Sequence, residues 1–473
     1  MNLRLRDIVS AIKGRPSRRF EENGALDKEA SGVSIDTRTI AAGEVFLALK
    51  GEKLDGHNFI KQAFSRGASS AVIDRMDVLE EFADRPVILV KDALTALGDL
   101  ASHVRGLYKI PLVAVTGSSG KTTAKDMIAL ILGAGRPTLK SEGNFNNLIG
   151  LPLTLFKLSG SHKAAVVELG ISERWEMPRL AGICRPDIAL ITNIGHAHLR
   201  TLGSIEDVAK AKGALFSALA PEGVRVVNLD DERLRGFADG AANKVTFSMK
   251  QDADVMVSGY SALEDFSGID VTYGIRGEVL SLRLKSPSAA SVLNAAAAIA
   301  ASLPLGASIE DIRRGLDGFS HSRGRMEVLR VNGLTILDDT YNANPESVAM
   351  ALLTLSAARG RKIAVLGEML ELGTTSEAEH RAVGVRAGQL GIDLVVVIGN
   401  RAEDIAKGAL TEGAKSLTVL CFKDKPEAID ALARILRKGD AVLVKGSRAV
   451  GLEEVIDGIR CFSPAHHGVG YMN

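Results

Sequence analysis

The sequence predicts a soluble α/β protein of about three domains built around parallel sheets, and three observations support this prediction. The chain has 473 residues, whereas a single hydrophobic core stops growing near about 250–300 residues. Short runs of Val, Ile and Leu alternate with helical patterns through most of the chain. Glycine is frequent, at 48 residues, while aromatic residues make up only 4%. That composition favours tight strand-to-helix turns over an aromatic surface on which bases would stack.

The apolar runs show no polar alternation and are bounded by Gly or Pro, which is typical of parallel strands buried on both faces. Each run is far shorter than the roughly 20 residues that span a bilayer, so we expect no membrane insertion. We predict strands at Leu112–Val115, Ala164–Val167, Ile188–Ile191, Val224–Val227, Leu334–Leu337, Ile363–Leu366, Leu394–Ile398 and Ala441–Val444.

Two composition changes indicate domain boundaries. The first lies near Gly106–Pro111, where a predicted helix over about 94–107 gives way to a strand. The second lies near Gly324–Asn332, after an Ala-rich helix predicted at Val292–Ala301. The tail 463–473 is short and loop-like. The predicted domains are residues 1–108, 109–328 and 329–473.

Charge and cysteine content narrow the function classes. Lys plus Arg number 58 against 57 for Asp plus Glu, a net charge of +1, so no bulk attraction to nucleic acid or acidic membrane is expected and any anion site must be local. The three cysteines, Cys184, Cys421 and Cys461, are far apart and form neither a disulfide framework nor a zinc motif. The charged N-terminus does not read as a signal peptide, so a cytoplasmic protein is expected.

A phosphate loop is predicted directly after the strand at 112–115. Its glycines permit a tight turn whose N–H groups, with the following helix N-terminus, can surround phosphate oxygens. Lys121 would reach the β- and γ-phosphates, and the Thr122 hydroxyl would bind Mg²⁺. The loop is a shortened variant, because Val115 stands where the general pattern has glycine; an unliganded glycine turn is the alternative. The predicted nucleotide-binding residues are Gly117, Ser118, Ser119, Gly120, Lys121, Thr122 and Thr123.

Two further side chains are predicted at the same sheet edge. Glu168 follows the strand at 164–167, where a carboxylate near a phosphate loop is placed to hold Mg²⁺, although alone it would be a surface charge. His198 follows the strand at 188–191 and is the candidate second metal ligand, while His196 fits a solvated residue equally well.

Lys212 lies on the apolar face of a helix that Ser204 and Asp207 are predicted to cap. It is four residues after Val208 and three before Leu215, which places all three on one face. One interpretation is a lysine that reaches to solvent from the edge of the apolar stripe. The other is an inward lysine near the metal, as an ammonium or as a carbamate. Spacing alone leaves both open.

Together these motifs resemble the Mur ligases, ATP-dependent enzymes that build the peptide stem of peptidoglycan. Residues 116–123 are similar to the family's shortened phosphate loop and residues 143–152 to its Asn-rich substrate loop. Glu168 and His198 match its metal ligands, and Lys212 its carbamylated lysine. The resemblance implies a central P-loop-type parallel sheet with helices, a Rossmann-like C-terminal α/β domain and a smaller N-terminal α/β domain.

Within the family, three regions are most similar to members that add D-alanyl-D-alanine to a UDP-muramoyl tripeptide. They are residues 34–57, 338–347, and the pair 366–373 with 445–448. The resemblance implies ATP contacts from Arg325, Asp339, Asn342 and Asn344. It implies substrate contacts from Thr37, Arg38, Asp55, His57, Asn144, Asn146, Asn147, Lys445, Ser447 and Arg448. Three positions depart from the usual pattern: Glu368 replaces Asp, Arg200 replaces an acidic residue, and Trp175 replaces a small one.

The implied reaction proceeds through an acyl phosphate: the tripeptide carboxylate attacks the γ-phosphate of ATP, and the dipeptide amine then displaces phosphate. ATP and Mg²⁺, as two ions, are the expected cofactors, with Lys121, His198 and Lys212 as catalytic residues. Only small-molecule substrates are expected, bound to a monomer whose domains close on them. The alternatives are a relative that adds diaminopimelate, lysine or glutamate, and a nucleotide-dependent switch. The sequence does not distinguish diaminopimelate from lysine as the third residue of the tripeptide.

Overall fold

A computed structural model describes residues 3–18, 20, 25–411 and 417–461, so the tail at 463–473 lies outside the described residues. The chain divides into two compact units. The first comprises Met1–Val115, Gly135–Ala189 and Ala214–Val224, and the second comprises Thr116–Ala134, Leu190–Gly213 and Arg225–Asn473. These two units group segments from several parts of the chain and do not correspond to the three predicted domains. The boundaries at 108/109 and 328/329 stay predictions.

The N-terminal region forms a small α/β arrangement. Its strands and helices in chain order are β1 (Leu3–Arg4), α1 (Leu5–Ala11), β2 (Arg15–Pro16), β3 (Glu29–Ala30), β4 (Gly32–Ser34), β5 (Glu44–Leu47), α2 (Ile60–Ser65), β6 (Ser70–Ile73), α3 (Met76–Glu81), β7 (Val87–Leu89) and α4 (Ala93–Leu107). The main sheet has the order β2-β7-β6-β5-β4 and is parallel except at β2. Phe46, Ile60 and Val87 belong to the core on its face. Helix α4 matches the predicted helix and is capped by Asp92, whose side chain accepts from Thr95 N.

The middle region alternates strands and helices, as predicted, over its first part, and then has four strands in succession. Its elements are β8 (Leu112–Thr116), α5 (Lys121–Gly135), β9 (Thr138–Lys140), α6 (Gly150–Leu155), β10 (Ala164–Glu168), α7 (Glu176–Cys184), β11 (Ile188–Ile191), α8 (Leu199–Leu202), α9 (Ile205–Ser217), β12 (Val224–Asn228), α10 (Glu232–Arg235), β13 (Lys244–Ser248), β14 (Val255–Ala262), β15 (Ile269–Ile275), β16 (Glu278–Leu284), α11 (Ala289–Ser302) and α12 (Ile309–Asp317). In the first unit β10 pairs in parallel with β8 and β9, opposing Val166 to Val113.

In the second unit β12, β13 and β14 are parallel, and β14, β15 and β16 form an antiparallel meander. The sequence did not predict the meander. Strands β15 and β16 bury alternate residues, as antiparallel strands with one solvated face do, whereas the prediction used continuous apolar runs.

The C-terminal region is a second parallel sheet between helices. Its elements are β17 (Glu327–Val331), β18 (Leu334–Asp339), α13 (Pro345–Ser356), β19 (Lys362–Gly367), α14 (Ser376–Gln389), β20 (Leu394–Ile398), α15 (Ala402–Ala409), β21 (Thr418–Phe422), α16 (Lys425–Ile435), β22 (Ala441–Lys445) and α17 (Glu453–Cys461). The order is β17-β18-β22-β19-β20-β21, antiparallel only between β17 and β18. Separate hydrophobic clusters, one including Leu366 and one including Val396, supply its core.

The structure confirms the predicted α/β class. Each predicted strand lies inside an observed strand, because an apolar run flanked by turn residues favours a buried parallel strand. Across the part of the chain that the structure describes, no helix is long and apolar enough to cross a membrane.

Candidate functional site

Two glycines give the phosphate loop its path. Gly117 has φ 149° and Gly120 has φ 79°, which are conformations that residues with a side chain rarely adopt. A Cβ on Gly117 would overlap Thr192 Oγ1, and a Cβ on Gly120 would overlap Asn294 Oδ1. The loop therefore needs glycine at both positions for two reasons, backbone conformation and close packing.

The segment that follows β11 holds the loop in place. Asn193 accepts from Ser118 N through its carbonyl oxygen, at 3.0 Å, and from Ser119 N through Oδ1, at 2.9 Å. Its Nδ2 and the Thr192 hydroxyl both donate to Ser119 O, at 3.1 and 2.5 Å. Sequence reasoning missed these two supporting residues, although their polar character directly after a buried strand was a usable signal.

Lys121 and Thr122 open helix α5. The Lys121 ammonium donates to Gly117 O at 2.8 Å and to Ser118 O at 3.4 Å, so it lies over the loop. Thr122 is buried, and Thr123 is partly buried. Lys121 thus lies at the loop whose phosphates it is predicted to bind.

The loop is also bonded to the start of α13. Asn344 Nδ2 donates to Ser119 Oγ at 3.0 Å, although the residues are 225 positions apart. The Asn344 side chain also caps α13, because its Oδ1 accepts from Ser347 N at 2.9 Å. The structure thus joins two residues that were predicted separately to contact ATP.

Arg325 and Arg448 both contact the ring of Tyr341. The Arg325 guanidinium carbon lies 3.8 Å from the ring centroid and that of Arg448 lies 5.7 Å from it, within the range of cation–π attraction. Tyr341 was not predicted as a site residue. Its contact with both arginines could not be predicted from the sequence, because the arginines are 123 residues apart in the chain.

Lys445, at the end of β22, forms an ion pair with Asp339, at the end of the adjacent β18. Its Nζ lies 2.5 Å from Asp339 Oδ2 and donates to Asn342 O at 2.9 Å. The lysine is 2% exposed. The parallel register that opposes these two residues explains the pairing. Lys445 therefore fixes the segment predicted to contact nucleotide, and its predicted substrate contact stays a prediction.

Ser447 and Glu368 organise the neighbouring strand end. The Ser447 hydroxyl accepts from Leu370 N at 2.9 Å, and Ser447 N donates to Glu368 O at 3.0 Å. Glu368 Oε1 accepts from Asn400 N and Arg401 N, just before α15 begins. Glu368, which stands where the family usually has Asp, thus keeps a carboxylate at this position. The carboxylate accepts hydrogen bonds at a helix N-terminus, where a negative charge is stabilised.

His198 contacts a carboxylate of the C-terminal region. Its Nδ1 lies 2.6 Å from Glu371 Oε2, and the pKa of Glu371 is lowered, chiefly by this hydrogen bond. The Glu371 carbonyl oxygen also accepts from Arg200 N at 3.1 Å. Sequence reasoning quoted Glu371 within a motif but gave it no role.

His196 lies beside two carboxylates. Its Nδ1 lies 2.7 Å from Glu346 Oε1, which also accepts from the His196 backbone N–H at 2.9 Å. Nε2 lies 3.8 Å from Glu379 Oε1. The side chain of His196 is 34% exposed, so its ring contacts carboxylates on α13 and α14 and remains partly solvated, as expected.

Glu168, in the first unit, is buried at 2% exposure. Its Oε1 accepts from Asn146 Nδ2 at 2.8 Å. Asn147 Oδ1 instead accepts from Ile149 N and Gly150 N at the start of α6, and Asn144 is exposed. The surface-charge alternative for Glu168 is thus excluded by its burial, while substrate contacts of the three asparagines stay predictions.

The predicted substrate residues of the N-terminal region form two groups. His57 is buried, with Nδ1 2.6 Å from Asp55 Oδ1 and Nε2 3.2 Å from Asp74 Oδ1. The Thr37 hydroxyl donates to Gln62 Oε1 at 2.8 Å. Arg38 is exposed and pairs with Asp36, and its hydrogen bonds lower the pKa of Asp36 to about 2.

Lys212 is 1% exposed, so its side chain faces inward. The reach-to-solvent interpretation is therefore wrong for this residue, whereas Lys210 on the same helix is exposed. The predicted cap of α9 is present: Ser204 Oγ accepts from Asp207 N at 3.2 Å. A fully buried lysine needs a compensating partner or a change of charge state.

The residue types fit a magnesium ion bound together with nucleotide phosphates. Glu168 offers a carboxylate, Thr122 a hydroxyl, and His198 an imidazole whose Nδ1 is already paired. Glu168 belongs to the first unit and the other two belong to the second. Among the described residues, no group of three or more His, Cys, Asp or Glu side chains is arranged as a metal site.

Comparison with known proteins decides the family. Residues 29–105 match the catalytic domain of the Mur ligase family, 115–302 the Mur ligase middle domain and 324–448 the Mur ligase glutamate ligase domain. The chain belongs to the Mur ligase family. The resemblance seen in the sequence is therefore confirmed, and so are the α/β class and the three-domain Mur ligase architecture.

Individual relatives cover nearly the whole chain. The UDP-N-acetylmuramoyl-tripeptide–D-alanyl-D-alanine ligase of Bacillus subtilis (strain 168) is 37% identical over 96% of this chain and 97% of its own length. A crystal structure of MurF from Acinetobacter baumannii has a TM-score of 0.88 and 30% identity, covering 97% of this chain and 99% of that one. The MurF ligase of Thermotoga maritima, solved in complex with ADP, has a TM-score of 0.81 and 29% identity. The match covers 91% of this chain and 97% of the Thermotoga maritima chain.

Proposed function

We propose that this Mur ligase uses ATP to join D-alanyl-D-alanine to UDP-N-acetylmuramoyl-tripeptide, giving the pentapeptide precursor of peptidoglycan. The observation that carries the proposal is the 37% identity to a tripeptide–D-alanyl-D-alanine ligase across 96% of the chain. The two segments proposed to contact the nucleotide are hydrogen-bonded to each other, through Ser119 and Asn344, which supports the proposal. ATP is the proposed energy source because a carboxylate and an amine do not condense in water without activation.

The phosphate loop would hold the triphosphate. Its N–H groups and the α5 N-terminus supply positive partial charge to phosphate oxygens, and Lys121 adds a full charge where the γ-phosphoryl group departs. Most of the catalytic effect would come from positioning the tripeptide carboxylate in line with that group. The carboxylate forms the new P–O bond while the bond to ADP breaks, and the amine then displaces phosphate.

The proposed metal cofactor is magnesium, as two ions, and it would supply positive charge that offsets the negative charge of the phosphate groups. Thr122, Glu168 and His198 are the proposed ligands. Lys212 is the proposed carbamate, since addition of CO₂ to the amine would convert a buried cation into an anion suited to a metal-rich site. A ¹³C-bicarbonate-labelled sample should show a carbamate carbonyl resonance that Lys212→Arg lacks; equal spectra would exclude the carbamate.

Different segments of the chain are proposed to bind the two substrates. Thr37, Arg38, Asp55 and His57 are proposed to serve the uridine nucleotide. Asn144, Asn146 and Asn147 are proposed to lie along the tripeptide.

On the C-terminal side, Lys445, Ser447 and Arg448 are proposed near the dipeptide, with Arg325, Asp339 and Asn342 at the nucleotide. The proposed domain limits remain 1–108, 109–328 and 329–473. A monomer that acts in the cytoplasm is proposed, and light scattering after gel filtration would test the oligomeric state.

The experiment supplies ATP, UDP-muramoyl tripeptide and D-alanyl-D-alanine and measures phosphate release together with pentapeptide. A parallel reaction replaces the tripeptide with UDP-muramoyl dipeptide and offers diaminopimelate or lysine. We expect one phosphate per pentapeptide in the first reaction and no product in the second. Product only in the second reaction would favour the diaminopimelate- or lysine-adding alternative, and phosphate release indifferent to substrates would refute ligation. A panel of tripeptides ending in diaminopimelate or lysine identifies the accepted third residue.

A further inference from the structure

Two residues outside the glycine class adopt left-handed backbone conformations where the middle and C-terminal regions of the second unit touch. His198 has φ 57° and Glu371 has φ 67°. Such a conformation is unfavourable for a residue with a side chain and persists only where the surroundings enforce it. Strained residues of this kind cluster at functional sites, and here the two side chains meet each other.

Two contacts join Glu371 to the segment that carries His198. The carboxylate oxygen Oε2 of Glu371 lies 2.6 Å from His198 Nδ1. Two positions along, Arg200 N donates to Glu371 O at 3.1 Å. Glu371 is thus anchored through its main chain and its side chain to the loop that carries His198.

The side-chain contact determines which ring nitrogen can bind a metal. A carboxylate is an acceptor only, so the proton of a neutral His198 lies on Nδ1 and the lone pair lies on Nε2. Metal-binding histidines commonly donate their second N–H to a carboxylate, which fixes the tautomer and ring orientation and raises ligand basicity.

We propose that Glu371 is a positioning residue that orients His198 for metal binding and makes that orientation depend on the docked C-terminal segment. The inference rests on the proposed function, because the metal is that of the ligase reaction. Glu371 follows strand β19 of the C-terminal sheet, whereas His198 follows β11 of the middle region. The contact therefore lets metal binding respond to the position of the segment that ends in residues 371–373.

The experiment measures Mn²⁺ affinity by electron paramagnetic resonance with a non-hydrolysable ATP analogue, using the wild type, Glu371→Ala and Glu371→Gln. We expect Glu371→Ala to lower the affinity for Mn²⁺ about 10-fold or more, which is the range seen when metal-bound histidines lose their carboxylate partners. Glu371→Gln keeps an acceptor oxygen without the charge and should lie between the two. The matched control is Glu377→Gln, an exposed carboxylate in the first turn of α14, which should bind Mn²⁺ like the wild type.

A double-mutant cycle separates positioning from a general structural role. In a His198→Ala background, Glu371→Ala should not lower the affinity for Mn²⁺ any further, because there is no ring left to orient. Metal-free binding of the nucleotide analogue and the thermal transition should stay near their wild-type values. Mn²⁺ affinity of Glu371→Ala within twofold of wild type, or full additivity in the cycle, would overturn the proposal. Wild-type ligase activity is assayed separately, so a failed function and a failed positioning role give different results.

Discussion

The Asn146 side chain donates from Nδ2 to Glu168 Oε1 at 2.8 Å, which connects the Asn-rich loop to the proposed magnesium carboxylate. The connection is doubled, because Asn146 O accepts from Gly170 N at 2.8 Å. A Cβ on Gly170 would lie 2.9 Å from the Asn146 amide. Asn146 thus fills the space beside the end of β10 and holds Glu168 in one orientation.

We expect Asn146→Ala to lower kcat about 10-fold, because the Glu168 carboxylate would lose the hydrogen bond that orients it. Asn146→Asp should lower it further, because a second carboxylate would face Glu168 and like charges in a buried position repel. The measurement is steady-state ligation, with thermal unfolding of each variant as the folding control. Equal activity of the alanine and aspartate variants would show that Asn146 does not act through the charge of Glu168.

Gly117→Ala should abolish nucleotide binding. The added Cβ would overlap Thr192 Oγ1, and φ 149° disfavours alanine. Gly133→Ala in α5 is the matched control, because a Cβ there meets no atom within 4 Å and alanine is the better helix former by about 1 kcal/mol. Isothermal titration with ADP and thermal unfolding distinguish the two changes. Normal ADP affinity in Gly117→Ala would contradict the assigned loop.

Acid should destabilise the fold through His321. Its Nε2 lies 2.7 Å from Ser286 Oγ, its ring packs edge-on against Phe319, and burial lowers its pKa from 6.5 to about 4. The folded protein therefore favours the neutral ring, while the unfolded chain gains a proton as the pH falls below 6.5. Stability from this group is complete above pH 6.5 and decreases toward pH 4, by about 2 kcal/mol between pH 7.5 and 5.

Urea unfolding of wild type and His321→Gln at those two pH values tests this expectation. The free energy of unfolding should fall less with acid in the variant. His380 is also buried and has a lowered pKa, but it is present in both proteins and cancels in the comparison. An identical pH dependence in both proteins would show that His321 does not contribute.

The three cysteines should differ in reactivity. Cys184 is buried, and burial raises the pKa of its thiol to about 12, whereas Cys421 and Cys461 are exposed. Because the thiolate is the nucleophile, a neutral-pH thiol reagent should modify Cys421 and Cys461 in the folded protein and Cys184 only after denaturation. Peptide mass mapping reads the sites. Rapid labelling of Cys184 under native conditions would contradict its position beneath the Arg105 side chain, which donates to Cys184 O at 2.9 Å.

Sequence patterns predicted the parts of this molecule that depend on local order. The strands that lead to Thr116 and Glu168 were readable as apolar runs, and the phosphate loop as Gly, Lys and Thr at fixed spacing. Contacts between distant segments were not readable. Such contacts depend on which strand ends become neighbours. Examples are the contact of Glu371 with His198, that of Tyr341 with two arginines, and that of Asn344 with Ser119. The two interpretations of Lys212 could be distinguished only by its burial in the structure, because helical spacing places a residue on a face of the helix but does not say how deeply that face is buried.

The central step of the proposed reaction is the activation of the tripeptide carboxylate by ATP for attack by the dipeptide amine. Its most direct test uses UDP-muramoyl tripeptide whose terminal carboxylate carries ¹⁸O, with ATP and D-alanyl-D-alanine, and measures the isotope in released phosphate by mass spectrometry. Transfer of the carboxylate oxygen through an acyl phosphate predicts one ¹⁸O per phosphate, in equal amount to pentapeptide. Unlabelled phosphate, or phosphate formed without pentapeptide, would contradict the account.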